Sequence, residues 1–148
     1  MGDIDLFTYT DYRKFLAEWV VAARNRRGFS FRTFAKRAGL GSAGYLKMVI
    51  DGKRNLGVAG LERFMNGMRM MGEERLYFRN LVQWNQAVTD DERARFEGKL
   101  ILLRKCRSLM PHIREKIEVF RQEIFGMLTT DFTSEEASSL ALQLLPQE

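Results

Sequence analysis

One cysteine, one histidine and two prolines are all that this chain of 148 residues holds of three residue types that carry much of protein chemistry. A lone cysteine, Cys106, excludes an intrachain disulfide. With His112 as the single imidazole, no thiolate or imidazole zinc cluster can form. No stretch approaches the eighteen or more apolar residues of a membrane span, and the acidic start MGDIDLFTYTDY lacks the basic and apolar run of a secretory signal. Gly2 is present, but Leu6 stands where myristoylation requires Ser or Thr. A cytoplasmic protein without membrane attachment is the expectation. No linker rich in Pro, Ser or Gly and no internal repeat divides the chain.

Catalytic signatures are missing as well. The chain has no GxxxxGK[ST], GxSxG or HExxH pattern and no EF-hand loop. GLGSAG (39–44) imitates a glycine-rich phosphate loop. It follows a helical pattern rather than a strand, so a helix stop and a tight turn explain its glycines. The acid pairs Asp90–Asp91 and Glu135–Glu136 fall in first turns of helices, where the backbone dipole favours them. No enzymatic activity and no cofactor are expected.

What is present is apolar periodicity and unevenly spread charge. Apolar residues make up 45% of the chain, enough for a folded core. The net charge is +5, with eleven Lys and Arg against five acids in residues 1–60, ten against seven in 61–110, and three against seven in 111–148. A basic first part with an acidic end favours a polyanionic partner.

Tyr12, Phe15, Leu16, Trp19, Val20 and Ala23 recur at helical spacing and predict a first helix from Asp11 to Arg27, with Thr10 as its N-cap. Ser30 is expected to cap a short helix that buries Phe34, Ala35 and Ala38 and stops at Gly39. Ser42 is expected to cap the next, which buries Leu46, Val49 and Ile50 and stops at Gly52. A helix, a short glycine turn and a second helix make a helix-turn-helix plan. A fourth helix (about 58–71) turns Leu61, Phe64, Met65 and Met68 inward, with the methionines as core filling. A fifth (about 73–87) places Leu76, Tyr77, Leu81 and Trp84 on one side and Phe78 and Val82 on the next. Thr89 and Glu92 form a capping box that opens a sixth helix to about Leu109, with Ala94, Phe96, Leu100, Ile101 and Leu103 buried. Pro111 is expected to break that helix or start another carrying Ile113, Ile117, Phe120, Ile124 and Leu128. The two would pair as a hairpin or with another chain. The tail around residues 134–145 reads equally as helix or strand.

The stretch SFRTFAKRAGLGSAGYLKMVIDGKRNLGVAGLERFMNGMRM (30–70) resembles the lambda-repressor/Cro type of helix-turn-helix domain. Ser30 matches the first cap, Phe34 and Ala35 the buried pair, Ala38-Gly39-Leu40 the turn, Ser42 the second cap, and Gly52-Lys53-Arg54-Asn55 the following loop. The resemblance implies an all-α, lambda-repressor-like multi-helix domain that binds double-stranded DNA. Its second motif helix would offer Ala43, Gly44, Tyr45, Lys47 and Met48 to base edges. Arg32, Lys36, Lys47, Lys53 and Arg54, with backbone N–H groups near Ser30 and Ser42, would meet phosphates. Ala43 and Gly44 depart from the usual Gln, Ser or Thr, and neither makes the bidentate bonds that discriminate bases. Phe31 stands where a polar phosphate contact is usual.

Nearly the whole chain, from YTDYRKFLAEWVV to the ending IREKIEVFRQEIF…LALQLLPQE, is also similar to a bacterial paralogous family described from Fibrobacter and Bdellovibrio. Its members are regarded as regulators. Compared with that family, the middle region is missing here. The expected organisation is a helix-turn-helix domain over 1–88, with the motif at about 30–55, and a C-terminal helical segment over 89–148. That segment would form a long helical hairpin with a short tail and serve homodimerisation or another protein contact. A competing expectation is a protein-interaction adaptor that keeps the scaffold without sequence-specific DNA binding. A third is RNA binding through Tyr45 and the basic face.

Overall fold

The computed structural model describes residues 4–25 and 28–131, and for residues 128–131 the backbone alone. All regular structure among them is helical: a single 3-10 turn at Leu6–Thr8, then α1 (Tyr12–Arg24), α2 (Phe31–Ala38), α3 (Tyr45–Ile50), α4 (Val58–Gly67), α5 (Gly72–Gln86) and α6 (Asp90–Asp131). The chain forms two compact units, Met1–Arg104 and Lys105–Glu148. The expected boundary after residue 88 therefore falls inside the first unit, whose core includes Leu100 of α6. No helix among the described residues is long and apolar enough to cross a membrane. The tail at 134–145 lies outside the described residues.

In the first unit, α1 starts one residue later than its pattern suggests. Asp11, in extended conformation, caps it by accepting from the N–H groups of Arg13 (2.7 Å) and Lys14 (3.3 Å), so Thr10 is not the cap. The buried face of α1 is Tyr12, Phe15, Leu16 and Val20, and α1 packs against α3 and α5. Ser30 caps α2 as expected. Its hydroxyl accepts from Thr33 N, and Thr33 Oγ1 accepts from Ser30 N. Gly39 closes α2 with φ +66°, letting Leu40 N reach Ala35 O at 2.8 Å.

Helices α2 and α4 cross closely because Gly67 lacks a side chain. A Cβ there would stand 2.7 Å from the Phe34 ring and 2.8 Å from the Ala38 methyl. Phe34, Phe64, Met65 and Met68 are buried, so these two methionines do fill the core. On α5 the buried residues are Tyr77, Phe78, Asn80, Leu81 and Val82, whereas Leu76 is 49% exposed and Trp84 only partly buried. Tyr77 and Leu81 of the first row and Phe78 and Val82 of the second thus face the core together, and Leu76 lies at its margin. The Tyr77 hydroxyl donates to the carbonyls of Phe7 (3.2 Å) and Tyr9 (3.0 Å). Arg104 of α6 donates to the same two oxygens, tying the N-terminal turn to the core.

Thr89 Oγ1 accepts from Glu92 N at 3.2 Å, but the Glu92 carboxylate reaches back to Val88 N rather than to Thr89. In the first unit α6 meets the core along Leu100, Leu103 and Arg104, while Ala94 and Ile101 are exposed, contrary to their expected burial. The expected hairpin does not form. Pro111 lies inside one continuous helix, where its missing N–H costs a ladder bond without reversing the chain. Residues on both sides favour helix, and the ladder resumes beyond the proline.

Candidate nucleic-acid interface

The residues singled out for DNA contact lie on α2, on α3 with the turn before it, and in the loop that follows. α2 and α3 pack against each other in the first unit. Arg32 and Lys36, four residues apart on α2, share its exposed side, opposite buried Phe34, Ala35 and Ala38. Lys47 is exposed on α3 between buried Leu46 and Val49, and Lys53 and Arg54 are exposed in the loop. None of these five cations has a carboxylate partner among the described residues. Asp51, the acid of the loop itself, is exposed and forms no ion pair with them, and Glu62 pairs with Arg75 and Arg79.

Ser42 does not cap α3. The helix begins at Tyr45 after Gly44, which gives no side-chain cap, and the Ser42 hydroxyl accepts instead from Gly44 N at 3.2 Å. Ser42, Ala43 and Gly44 are thus exposed turn residues ahead of a six-residue helix. The Ser42 hydroxyl is taken up by the turn at Gly44, so the six-residue connection 39–44 delays the start of α3 to Tyr45. Ala43 and Gly44 bring no hydrogen-bonding side chain to the front of α3.

Tyr45 is turned toward the interior. Its ring stands edge-on to Phe64 with centroids 5.7 Å apart, and its hydroxyl donates to the Asn55 carbonyl at 3.3 Å. It therefore braces the loop and is only partly available to a ligand. Met48 is half-buried. Phe31 is half-buried too, standing edge-on to Phe29 with Arg24 over its ring at 5.2 Å. Its place at the start of α2 is explained by this aromatic packing, not by an exposed contact surface.

The loop is held from behind by residues that local pattern does not reveal. Gly52, at φ +76°, closes α3 and lets Lys53 N bond to Met48 O at 2.9 Å. Arg13 of α1 donates to the carbonyls of Val49 and Arg54, the latter at 3.0 Å, and to Asn55 Oδ1 at 2.6 Å. Its guanidinium thus caps the carbonyl end of α3, where a cation is favoured. Gln86 at the end of α5 pairs with both backbone groups of Leu56. Its Oε1 accepts from Leu56 N (2.9 Å) and its Nε2 donates to Leu56 O (3.0 Å). Tyr12 donates to the same Oε1 at 3.0 Å, and burial pushes its phenol pKa up, which keeps it a donor. Nothing in the sequence near Arg13 or Gln86 marks these roles, because the partners lie thirty to forty-two residues away.

The arrangement presents exposed point charges on a rigid backbone, a chemistry suited to phosphates more than to base edges. Comparison of the chain with protein-family models, with curated proteins and with solved structures finds no match.

Proposed function

We propose that the first unit binds double-stranded DNA through α2, α3 and the loop 51–55, and that the protein is a cytoplasmic transcriptional regulator of lambda-repressor/Cro-like design. The observation that carries this reading is the set of five exposed cations with no ion-pair partner among the described residues, Arg32, Lys36, Lys47, Lys53 and Arg54, which outnumber the single acid of the loop, Asp51, beside a backbone clamped by Arg13 and Gln86. Clamping lowers the ordering cost of presenting Lys53 and Arg54 to a phosphate chain. Base discrimination is weak in this reading, since Ala43 and Gly44 offer no donor or acceptor side chain. No catalytic step is involved.

Homodimerisation belongs to the same reading. In the second unit, α6 carries Ile113, Ile117, Phe120 and Met127 with 43%, 51%, 60% and 67% of their surfaces exposed, and Ile124 completes the alternating four-three spacing. That spacing is the heptad signature of a helix that pairs with another. Two heads on one duplex gain affinity that a single head lacks.

Anisotropy with mixed-sequence duplex DNA at two salt concentrations tests the proposal. Binding should weaken steeply with salt, and alanine at Lys47, Lys53 and Arg54 should reduce the log–log salt slope by roughly 0.9 for each phosphate no longer neutralised. Absence of binding at low salt overturns the reading. An intact slope in the triple variant overturns the site. The exposed, side-chain-poor Ala43 and Gly44 favour one second reading, an adaptor that retains the scaffold, and absent DNA binding with intact folding is its expected result.

A further inference from the structure

Behind the loop lies a cleft of about 500 Å³ within the first unit, with Asp11, Arg13, Asn55, Trp84, Asn85 and Arg93 in its wall. Its polar groups are unequally matched. Asp11, the acid of the wall, is engaged with the first N–H groups of α1. Asn85 Oδ1 accepts from Tyr12 N at 2.9 Å, and Asn55 Oδ1 accepts from Arg13. Of the donors, the Asn85 amide gives to Thr10 O at 2.9 Å and the Gln86 amide to Leu56 O, but three others lack an acceptor among the described residues. The Arg93 guanidinium has no hydrogen-bond or ion-pair partner among the described residues, and the Asn55 amide nitrogen donates to none. The Trp84 indole N–H is buried with no acceptor. Arg13 spends its donors on two carbonyls and one amide oxygen, so its charge is not neutralised by an acid.

A concave site with two guanidinium groups, one engaged carboxylate and surplus donors suits a ligand that is negative and rich in acceptor oxygens. We infer that this cleft binds a small anion bearing a carboxylate or phosphate group, with Arg93 as its principal charged contact and Trp84 as a wall of the site. Arg13 and Asn55 serve both the cleft and the loop, so occupancy would draw on the side chains that hold Lys53 and Arg54 in place. That regulatory consequence rests on the DNA-binding reading; the site itself does not.

The test uses the full chain carrying Trp19→Phe, which leaves Trp84 as the single tryptophan. Inorganic phosphate and citrate are titrated separately at constant ionic strength, without DNA, while Trp84 emission is followed. At least one anion should give a saturable change, and Arg93→Gln should weaken it roughly tenfold, while Arg95→Gln on the same helix should leave it unchanged. Response to phosphate alone identifies a phosphate-bearing ligand, and response to citrate alone a carboxylate-bearing one. Isothermal titration of the unsubstituted chain gives the same answer if Trp19→Phe perturbs folding. No saturable binding of either anion by either method, or equal binding in Arg93→Gln, overturns the inference. Since no DNA is present, that failure would leave the proposed function standing.

Discussion

Arg13 of α1 and Asn55 of the loop after α3 are joined by a hydrogen bond of 2.6 Å between Nη2 and Oδ1, across forty-two residues of sequence. The same guanidinium holds the carbonyls of Val49 and Arg54, so one side chain fixes the end of α3 and the loop that carries Lys53 and Arg54.

Replacing Arg13 with alanine leaves those acceptors without their donor. Stability should fall by about 2 kcal/mol, as expected for charge-assisted bonds. Hydrogen exchange should speed up at residues 51–56 more than in α4. Denaturant melts together with exchange mass spectrometry measure both; unchanged exchange in the loop would refute the clamp. Asn55→Ala should show a smaller effect of the same kind, since the carbonyl bonds of Arg13 persist.

Gly67→Ala places a methyl group into the α2–α4 crossing, against the Phe34 ring and the Ala38 methyl. The crossing must widen, and the expected loss is about 1–3 kcal/mol, read from thermal or urea unfolding. Helix propensity alone predicts the opposite, because alanine favours helix over glycine. The sign of the change therefore separates packing from propensity.

Glu62 accepts hydrogen bonds from Arg79 and, at 2.7 Å, from Arg75. The Arg79 bond is the larger cause and the Arg75 bond adds to it. Together they hold the carboxyl below its usual range, against a burial effect of opposite sign. A carboxylate whose folded pKa is depressed contributes stability above its unfolded pKa and loses it as pH falls through the folded value. The stability difference between wild type and Glu62→Gln should thus be full near neutrality and should vanish below the normal carboxylate range. The three side chains are only half-buried, with 29–40% of their surface exposed, so screening limits the effect to on the order of 0.5–1 kcal/mol. Urea melts from pH 3 to 7 provide the comparison.

Ile117→Glu combined with Phe120→Glu puts charge into the apolar row of α6 in the second unit. Analytical ultracentrifugation should show a dimer for the wild type and a monomer for the double variant at micromolar concentration. The unfolding of a separately monitored Trp19 signal should be unchanged. A wild-type chain that sediments as a monomer across the accessible concentrations would remove the dimer from the proposed function.

The periodic part of the fold is legible from residue spacing. Phe15, Leu16, Phe34, Leu46, Val49, Leu61, Phe64 and Met65 sit at helical spacing and are buried. Ser30 announces the start of α2, and Gly39 and Gly52 the ends of α2 and α3, because caps and left-handed stops depend on a few adjacent residues. Where two readings share the same local pattern, the sequence is silent or misleading. Ser42 looks like a cap, yet the chain needs two further residues of turn before α3. Pro111 looks like a break, yet the helix continues through it, since propensity on both sides outweighs one lost bond.

The amino-acid sequence by itself determined the helical character of the described residues, most of their apolar faces and the basic character of residues 1–60, because these follow from composition and short-range spacing. Only the tertiary structure decided which faces meet. It turned Tyr45 inward onto Phe64, covered Phe31 with Arg24, set Arg13 and Gln86 behind the loop, and left Arg32, Lys36, Lys47, Lys53 and Arg54 exposed. The physical reason is distance along the chain. A hydrogen bond between residues forty apart forms only after the core has brought its partners together, and no window of neighbouring residues contains that information.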